Sequence, residues 1–272
     1  MESANLSNLT HLTNPKPLTL YSTALTSRKT CYVYLPPSYR HNEDREYPVI
    51  YLLHGMNGCE TDWTAKGNVH GTATSMMLSG ELKESIIVMP SDGGYHTGTF
   101  YIDWFDGSGK FEQYFIYDLV PAIDSQFRTL KSKESRMIAG LSMGGYGAFV
   151  LSLRNPHLFG AAGSLSGVLG DLAPGKQAEE FARLLGPIHG PYAQDHNLYV
   201  LSERRAADDS RPVLYFDCGT EDYLYEGSVS FKHHLDKIGY ACRYQEFSGA
   251  HTWDYWQEHI VDVFHFFNDF LE

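Results

Sequence analysis

Short unbroken apolar runs recur along this chain, each followed by a turn-forming residue. They are Val49-Ile50-Tyr51-Leu52-Leu53 before His54-Gly55, Ser85-Ile86-Ile87-Val88-Met89 before Pro90, Arg136-Met137-Ile138-Ala139 before Gly140, Ala161-Ala162-Gly163-Ser164-Leu165, and Pro212-Val213-Leu214-Tyr215-Phe216. Runs that lack polar alternation are what strands look like when both sheet faces are covered. Helical patterns fill the spaces between them. Phe111–Phe127 carries Tyr114, Phe115, Leu119 and Ile123 in helix-like register despite Pro121, Tyr146–Leu153 is another, Ser228–Ile238 stops at Gly239, and Trp253–Leu271 is amphipathic. Cys242–Phe247 adds a further strand. Strands alternating with helices predict an α/β chain with a mostly parallel, doubly wound sheet. Ahead of that sheet, Leu18–Leu25 and Thr30–Leu35 around Thr26-Ser27-Arg28-Lys29 read as an N-terminal antiparallel hairpin.

A chain of 272 residues can bury one such core. Residues 1–14 are polar and read as a flexible arm, and 15–272 as a single domain. The stretch 171–211 breaks the β/α rhythm with helix candidates at Ala178–Leu185 and Asn197–Arg205, separated by Gly186-Pro187 and Gly190-Pro191. About 40 residues is short for an independent core, so it reads as a small insertion near the site. The formal net charge of -12 and the lack of a Lys/Arg cluster argue against nucleic acid and anionic membranes as partners. No apolar run is long enough to span a bilayer. Met1–Asn14 has no apolar signal core, so the expectation is a cytoplasmic protein, or a secreted one if a leader has been removed. Cys31, Cys59, Cys218 and Cys242 form no C-x-x-C pair and read as incidental thiols, and no residues have metal-ligand spacing.

In a doubly wound sheet, ligands sit beyond the carboxyl ends of the strands. The chemistry-bearing motifs of this chain fall at those ends. Gly140-Leu141-Ser142-Met143-Gly144 lies between a strand and a helix, where a sharp turn thrusts a serine hydroxyl clear of the sheet. A serine hydroxyl needs a base, and that base needs a carboxylate to fix its tautomer. Among the 13 histidines, His251 follows the last strand, and Asp222 follows the strand before it. Glu221, next to Asp222, and Asp171 are the rival carboxylates; in an extended loop Glu221 points the other way. An oxyanion needs two N–H donors. One is the backbone N–H of Met143, the residue after the nucleophile, and the other that of Met56 in His54-Gly55-Met56-Asn57-Gly58. His54 reads as a residue that orients this loop.

These segments resemble the esterase D-like family of α/β-hydrolases, which includes feruloyl and acetylxylan esterases, tributyrin-type carboxylesterases, S-formylglutathione hydrolases and mycolyltransferases. The matching residues are Leu53-His54-Gly55-Met56-Asn57-Gly58 with Trp63, Gly140 to Gly147, Asp217-Cys218-Gly219-Thr220-Glu221-Asp222, and Gly249-Ala250-His251-Thr252-Trp253, together with Phe111–Tyr114 and Asp118–Asp124. The resemblance covers about residues 18–270. It implies the α/β-hydrolase fold and a serine esterase that needs no cofactor and no metal. It also implies that Ser142, Asp222 and His251 form the triad and that Met56 and Met143 line the oxyanion hole. S-formylglutathione hydrolases carry a cysteine soon after the His-Gly pair and a histidine after the Gly-Gly of the elbow. Here Cys59 is displaced by one position and Tyr146 takes the second place, which turns the reading toward feruloyl and tributyrin-type esterases.

Aromatic residues gather near these loops: Trp63; Tyr95, Phe100, Tyr101, Trp104 and Phe105; and Trp253, Tyr255 and Trp256. Aromatic walls suit an aryl or alkyl acyl group. Trp63, Trp104, Tyr146 and Trp253 are the candidate substrate contacts. The expected partner is a small-molecule ester or an acylated saccharide. The expected activity is hydrolysis of feruloyl or short-chain acyl esters. Acyl transfer to a sugar or alcohol, an S-formylglutathione hydrolase-like thioesterase, and a binding protein on a dead hydrolase fold are the alternatives. The sequence leaves the oligomeric state open.

Overall fold

The computed structural model describes residues 14–94, 98–170 and 178–272. Its eight-stranded sheet has the order β1-β2-β4-β3-β5-β6-β7-β8. The strands are β1 (Lys16–Ser22), β2 (Ser27–Tyr34), β3 (Val49–Leu53), β4 (Ile86–Pro90), β5 (Arg136–Leu141), β6 (Ala161–Leu165), β7 (Val213–Gly219) and β8 (Cys242–Phe247). From β4 to β8 every neighbouring pair is parallel, while β1–β2 and β2–β4 are antiparallel. The mostly parallel sheet with a leading hairpin is therefore as the apolar runs predict. The N-terminal arm falls almost wholly outside the described residues, as do Tyr95 and Asp171.

The hairpin turn lies earlier than the sequence suggests. The last pair is Ser22↔Ser27, and Arg28 and Lys29 sit in β2 opposite Tyr21 and Leu20. The chain reverses through residues 23–26, with Thr26 in the left-handed region at φ 48°. Arg28 and Lys29 look like turn residues because they are polar. Here β2 extends beyond its pairing with β4, which begins at Cys31, and meets only β1; such an outer antiparallel ribbon leaves room for polar side chains in water.

Both sheet faces are covered. Tyr51 and Leu53 join a core with Phe149, Phe216 and Phe231, whereas their neighbours Ile50 and Leu52 join one with Tyr215, Val263 and Phe264. The main helices are α1 (Val69–Ser79), α2 (Val120–Gln126), α3 (Met143–Arg154), α4 (Ala178–Leu185), α5 (Leu198–Arg205), α6 (Tyr225–Ile238) and α7 (Trp253–Leu271). A π-helical stretch, Tyr114–Leu119, leads into α2, and the Val120 N–H reaches back to Phe115 O. This widened turn comes just before Pro121, whose missing N–H interrupts a regular α ladder. Among the described residues, no helix is long and apolar enough to cross a membrane.

The segment between β6 and β7 lies against α3. Arg205 Nε donates to Leu153 O at 2.9 Å, Arg154 Nη1 to Asp195 O at 2.8 Å, and Tyr146 Oη to His196 O at 2.7 Å.

Candidate active site

Ser142 joins β5 to α3 with φ 55° and ψ −120°, a backbone conformation that L-residues rarely hold. Neighbouring strands fix it there. Its N–H donates to Leu165 O at 3.0 Å, and its carbonyl accepts from Val168 N at 3.2 Å and Gly145 N at 3.0 Å. The turn also needs glycine at position 144, where a methyl group would lie 2.5 Å from Leu53 O and 2.6 Å from His54 O. The outcome is a serine hydroxyl at the positive end of a buried helix.

Two further strand ends meet this hydroxyl. His251 Nε2 lies 3.0 Å from Ser142 Oγ, and His251 Nδ1 lies 2.8 Å from Asp222 Oδ2. A carboxylate only accepts, so Nδ1 carries the hydrogen and the Nε2 lone pair faces the serine. The Asp222 side chain is fully buried and that of His251 is 17% exposed. Burial works to raise the Asp222 carboxyl. The hydrogen bonds from His251 and from the Leu224 N–H outweigh it and hold the group below its ordinary value. Glu221 turns away and accepts from the Gly249 N–H.

Met143 is the first residue of α3, and a first-turn N–H has no intrahelical acceptor. Met56 follows β3 and lines the same cleft as Ser142. Gly98, at φ 78°, wedges between the Met56 and Met143 side chains; a methyl there would press on Met143 Sδ and sit 3.4 Å from Met56 Cγ. His54 Nδ1 lies 2.8 Å from Gly55 O, and its Nε2 accepts from the Asp92 N–H at 3.2 Å, which fixes the Nδ1–H tautomer. Tyr101 Oη donates to His54 O at 3.0 Å. His54 and Tyr101 thus tie the Met56 loop to the loop after β4.

The cleft above Ser142 and His251 holds about 360 Å³ and is walled by Met56, Asp62, Lys66, Tyr223, Trp253 and Trp256. Among the described residues, no group of three His, Cys, Asp or Glu side chains is arranged to hold a metal ion.

The Esterase family model matches residues 22–267. The chain belongs to this esterase family. It is 35% identical over 159 residues to an endo-1,4-beta-xylanase/feruloyl esterase of Xylanibacter ruminicola, an alignment covering 57% of this chain and only 22% of that protein. It is 24% identical over 264 residues to an acetyl esterase of Caldicellulosiruptor saccharolyticus, covering 91% of this chain and 95% of the other. A solved ferulic acid esterase superimposes with a TM-score of 0.82 at 27% identity, over 96% of this chain and 99% of that one.

Of the esterase's candidate substrate contacts, Trp253 lines the cleft. The other three are seated elsewhere, because their polar atoms are committed inside the fold. Trp63 is buried with Nε1 on Leu53 O at 3.0 Å, and its ring meets Trp253 edge-on at 5.5 Å. Trp104 packs on Phe111 with Nε1 on Thr99 O at 3.3 Å. Tyr146 is buried with its hydroxyl on His196 O. Asp62, Lys66 and Tyr223 are cleft residues that sequence reasoning missed. Tyr223 had one available signal, its place beside Asp222. Its ring lies 4.7 Å from that of His251, and it is 75% exposed.

Proposed function

We propose that this esterase cleaves carboxylic esters through an acyl-enzyme on Ser142. The carrying observation is the unbroken hydrogen-bonded series from Asp222 through His251 to Ser142 Oγ. In this reading Ser142 Oγ attacks the ester carbonyl while its proton passes to His251 Nε2. The negative oxygen of the tetrahedral intermediate takes hydrogen bonds from the Met56 and Met143 N–H groups. The intermediate collapses when His251 gives its proton to the leaving alcohol. Water then repeats the sequence on the acyl group and releases the acid. Asp222 holds the imidazole and balances its positive charge. No step calls for a metal or cofactor.

We assign feruloyl or other hydroxycinnamoyl esters and short-chain acyl esters as substrates, acylated saccharides among them. Two observations support this assignment. The relatives are named feruloyl esterase and acetyl esterase. The cleft beside His251 is walled by Tyr223, Trp253 and Trp256, side chains suited to flat or apolar groups. The test is Ser142→Ala assayed on p-nitrophenyl acetate and methyl ferulate. Loss of both activities is expected, and wild-type rates would overturn the assignment. An organophosphate should label Ser142, and a mass-mapped adduct on another serine would equally refute it.

A further inference from the structure

Asp222 and His251 sit on loops from different strands, 29 residues apart in sequence, yet Nδ1 and Oδ2 must meet at 2.8 Å while Nε2 reaches Ser142. Something other than their own hydrogen bond must hold the two loops in register. The β7–β8 pairing ends at Gly219↔Phe247, and Thr220 N donates to Phe247 O at 2.8 Å just beyond it. Glu221 then closes the gap from both sides. Its N–H donates to Gly249 O at 3.0 Å, and its carboxylate accepts from the Gly249 N–H.

Gly249 is pinned on its other sides as well. It holds φ 140°, and a methyl there would lie 2.7 Å from Tyr255 Cδ2. A methyl on Gly219 would run into the Gly249 carbonyl oxygen. Two residues later the chain reaches His251, and α7 begins at Trp253. His251 therefore spans a short bridge between the Glu221–Gly249 contact and the first turn of a helix.

We propose that Glu221 is a positioning residue. Its two-point clasp on Gly249 sets the His251 loop against the Asp222 loop, so that the imidazole is aligned before substrate arrives. This rests on the assignment of Ser142, Asp222 and His251 given above. The Glu221 carboxylate is seated on the Gly249 N–H, outside the hydrogen-bonded series of Asp222, His251 and Ser142, so its effect passes through the loop that carries Gly249. A small displacement of a catalytic group can cost orders of magnitude in rate, and such a clasp limits that displacement.

The test compares Glu221→Ala and Glu221→Gln in the full chain. The side chain is exposed, so both variants should fold, and melting curves check that. The amide oxygen of Gln keeps an acceptor for the Gly249 N–H, and Ala removes it. With p-nitrophenyl acetate, Glu221→Ala should lower kcat roughly 10-fold with KM within about 2-fold, and Glu221→Gln should recover most of it. The rate of organophosphate labelling at Ser142 should fall in parallel. In an Asp222→Ala background the Glu221→Ala change should add little, because there is no longer a carboxylate to align with. An unchanged kcat in Glu221→Ala, equal losses in the Ala and Gln variants, or a full additional loss in the Asp222→Ala background would each overturn the proposal. Ser142→Ala separates the two readings. If it is inactive while Glu221→Ala keeps wild-type kcat, only the positioning role fails; if it is active, the site assignment fails first.

Discussion

The Tyr255 hydroxyl donates to Asp217 Oδ1 at 2.9 Å, inside the core beneath the His251 loop. Asp217 lies within β7 and Tyr255 in the first turn of α7, so this bond joins the strand to the helix. The carboxyl is completely buried, and burial pushes it up to about 8, only partly opposed by the Tyr255 and Tyr215 hydroxyls. Replacing Tyr255 with Phe removes the donor and leaves a buried acceptor unpaired. The expected loss is about 1–3 kcal/mol of folding stability, read as a lower midpoint in urea unfolding.

The same carboxyl gives a pH prediction with a definite sign. Asp217 binds its proton more tightly in the folded chain than in the unfolded one, where an aspartate titrates at 3.8. Its contribution to stability is thus complete below that value and is lost as pH rises toward about 8. Asp217→Asn mimics the protonated form and removes this term. Urea midpoints at pH 5 and pH 8 should separate the two proteins: the wild type loses more stability across that interval than the variant. Equal losses would show that Asp217 does not titrate there.

Asp222→Asn tests the orientation of the base. An amide can donate to Nδ1 and favour the tautomer that puts the hydrogen on Nε2, facing Ser142. The side chain hardly changes size, so folding should be kept. The rate on p-nitrophenyl acetate should fall by about 10⁴, with a melting temperature near that of wild type.

What could be read in the sequence follows from where its information is local. β6 and β8 match the predicted spans because their ends coincide with clear breaks in pattern. Ser142, Asp222 and His251 are marked by lying just past the ends of β5, β7 and β8, and the parallel topology carries all such ends to one edge. The helix Val69–Ser79 leaves no clear mark in the sequence. Its buried residues Val69, Ala73, Met76 and Met77 form a stripe, but Gly71, Thr72, Thr74 and Ser75 dilute the pattern. Trp63 and Tyr146 lie close to the motifs in sequence, yet both point into the core. Asp62 and Lys66 reach the cleft from the two ends of a single helical turn, Asp62–Ala65, too short to leave a periodic pattern. Adjacency to a motif reports which loop a residue is on, and does not report which way it faces.

Gly98→Ala probes the packing behind the N–H pair of Met56 and Met143. The position holds φ 78°, and an added methyl would press on the Met143 thioether. Methionine is flexible and can move, so the fold should survive. The expected result is a kcat about 10-fold lower, with KM changed less, because the displaced side chains carry the two backbone donors with them. A wild-type kcat would show that this contact does not govern the donors.

Trp253 is the cleft residue with the fullest support around it. Its ring meets Trp63 at 5.5 Å and Trp256 at 5.3 Å, both edge-on, and the Lys66 ammonium lies 5.7 Å from its centroid. Lys66 is also held by Asp62 at 3.0 Å, so the wall is braced on its solvent side too. Such a fixed face stacks on a flat group at little entropic cost. Trp253→Ala should therefore weaken methyl ferulate more than p-nitrophenyl acetate if the hydroxycinnamoyl ring rests there. The expected drop in kcat/KM is about 10-fold or more for ferulate, equivalent to roughly 1.4 kcal/mol of lost contact, and under about 3-fold for acetate. Equal losses on the two esters would instead show that Trp253 acts by holding the loop that carries His251, because the ferulate ring is then not what it recognises.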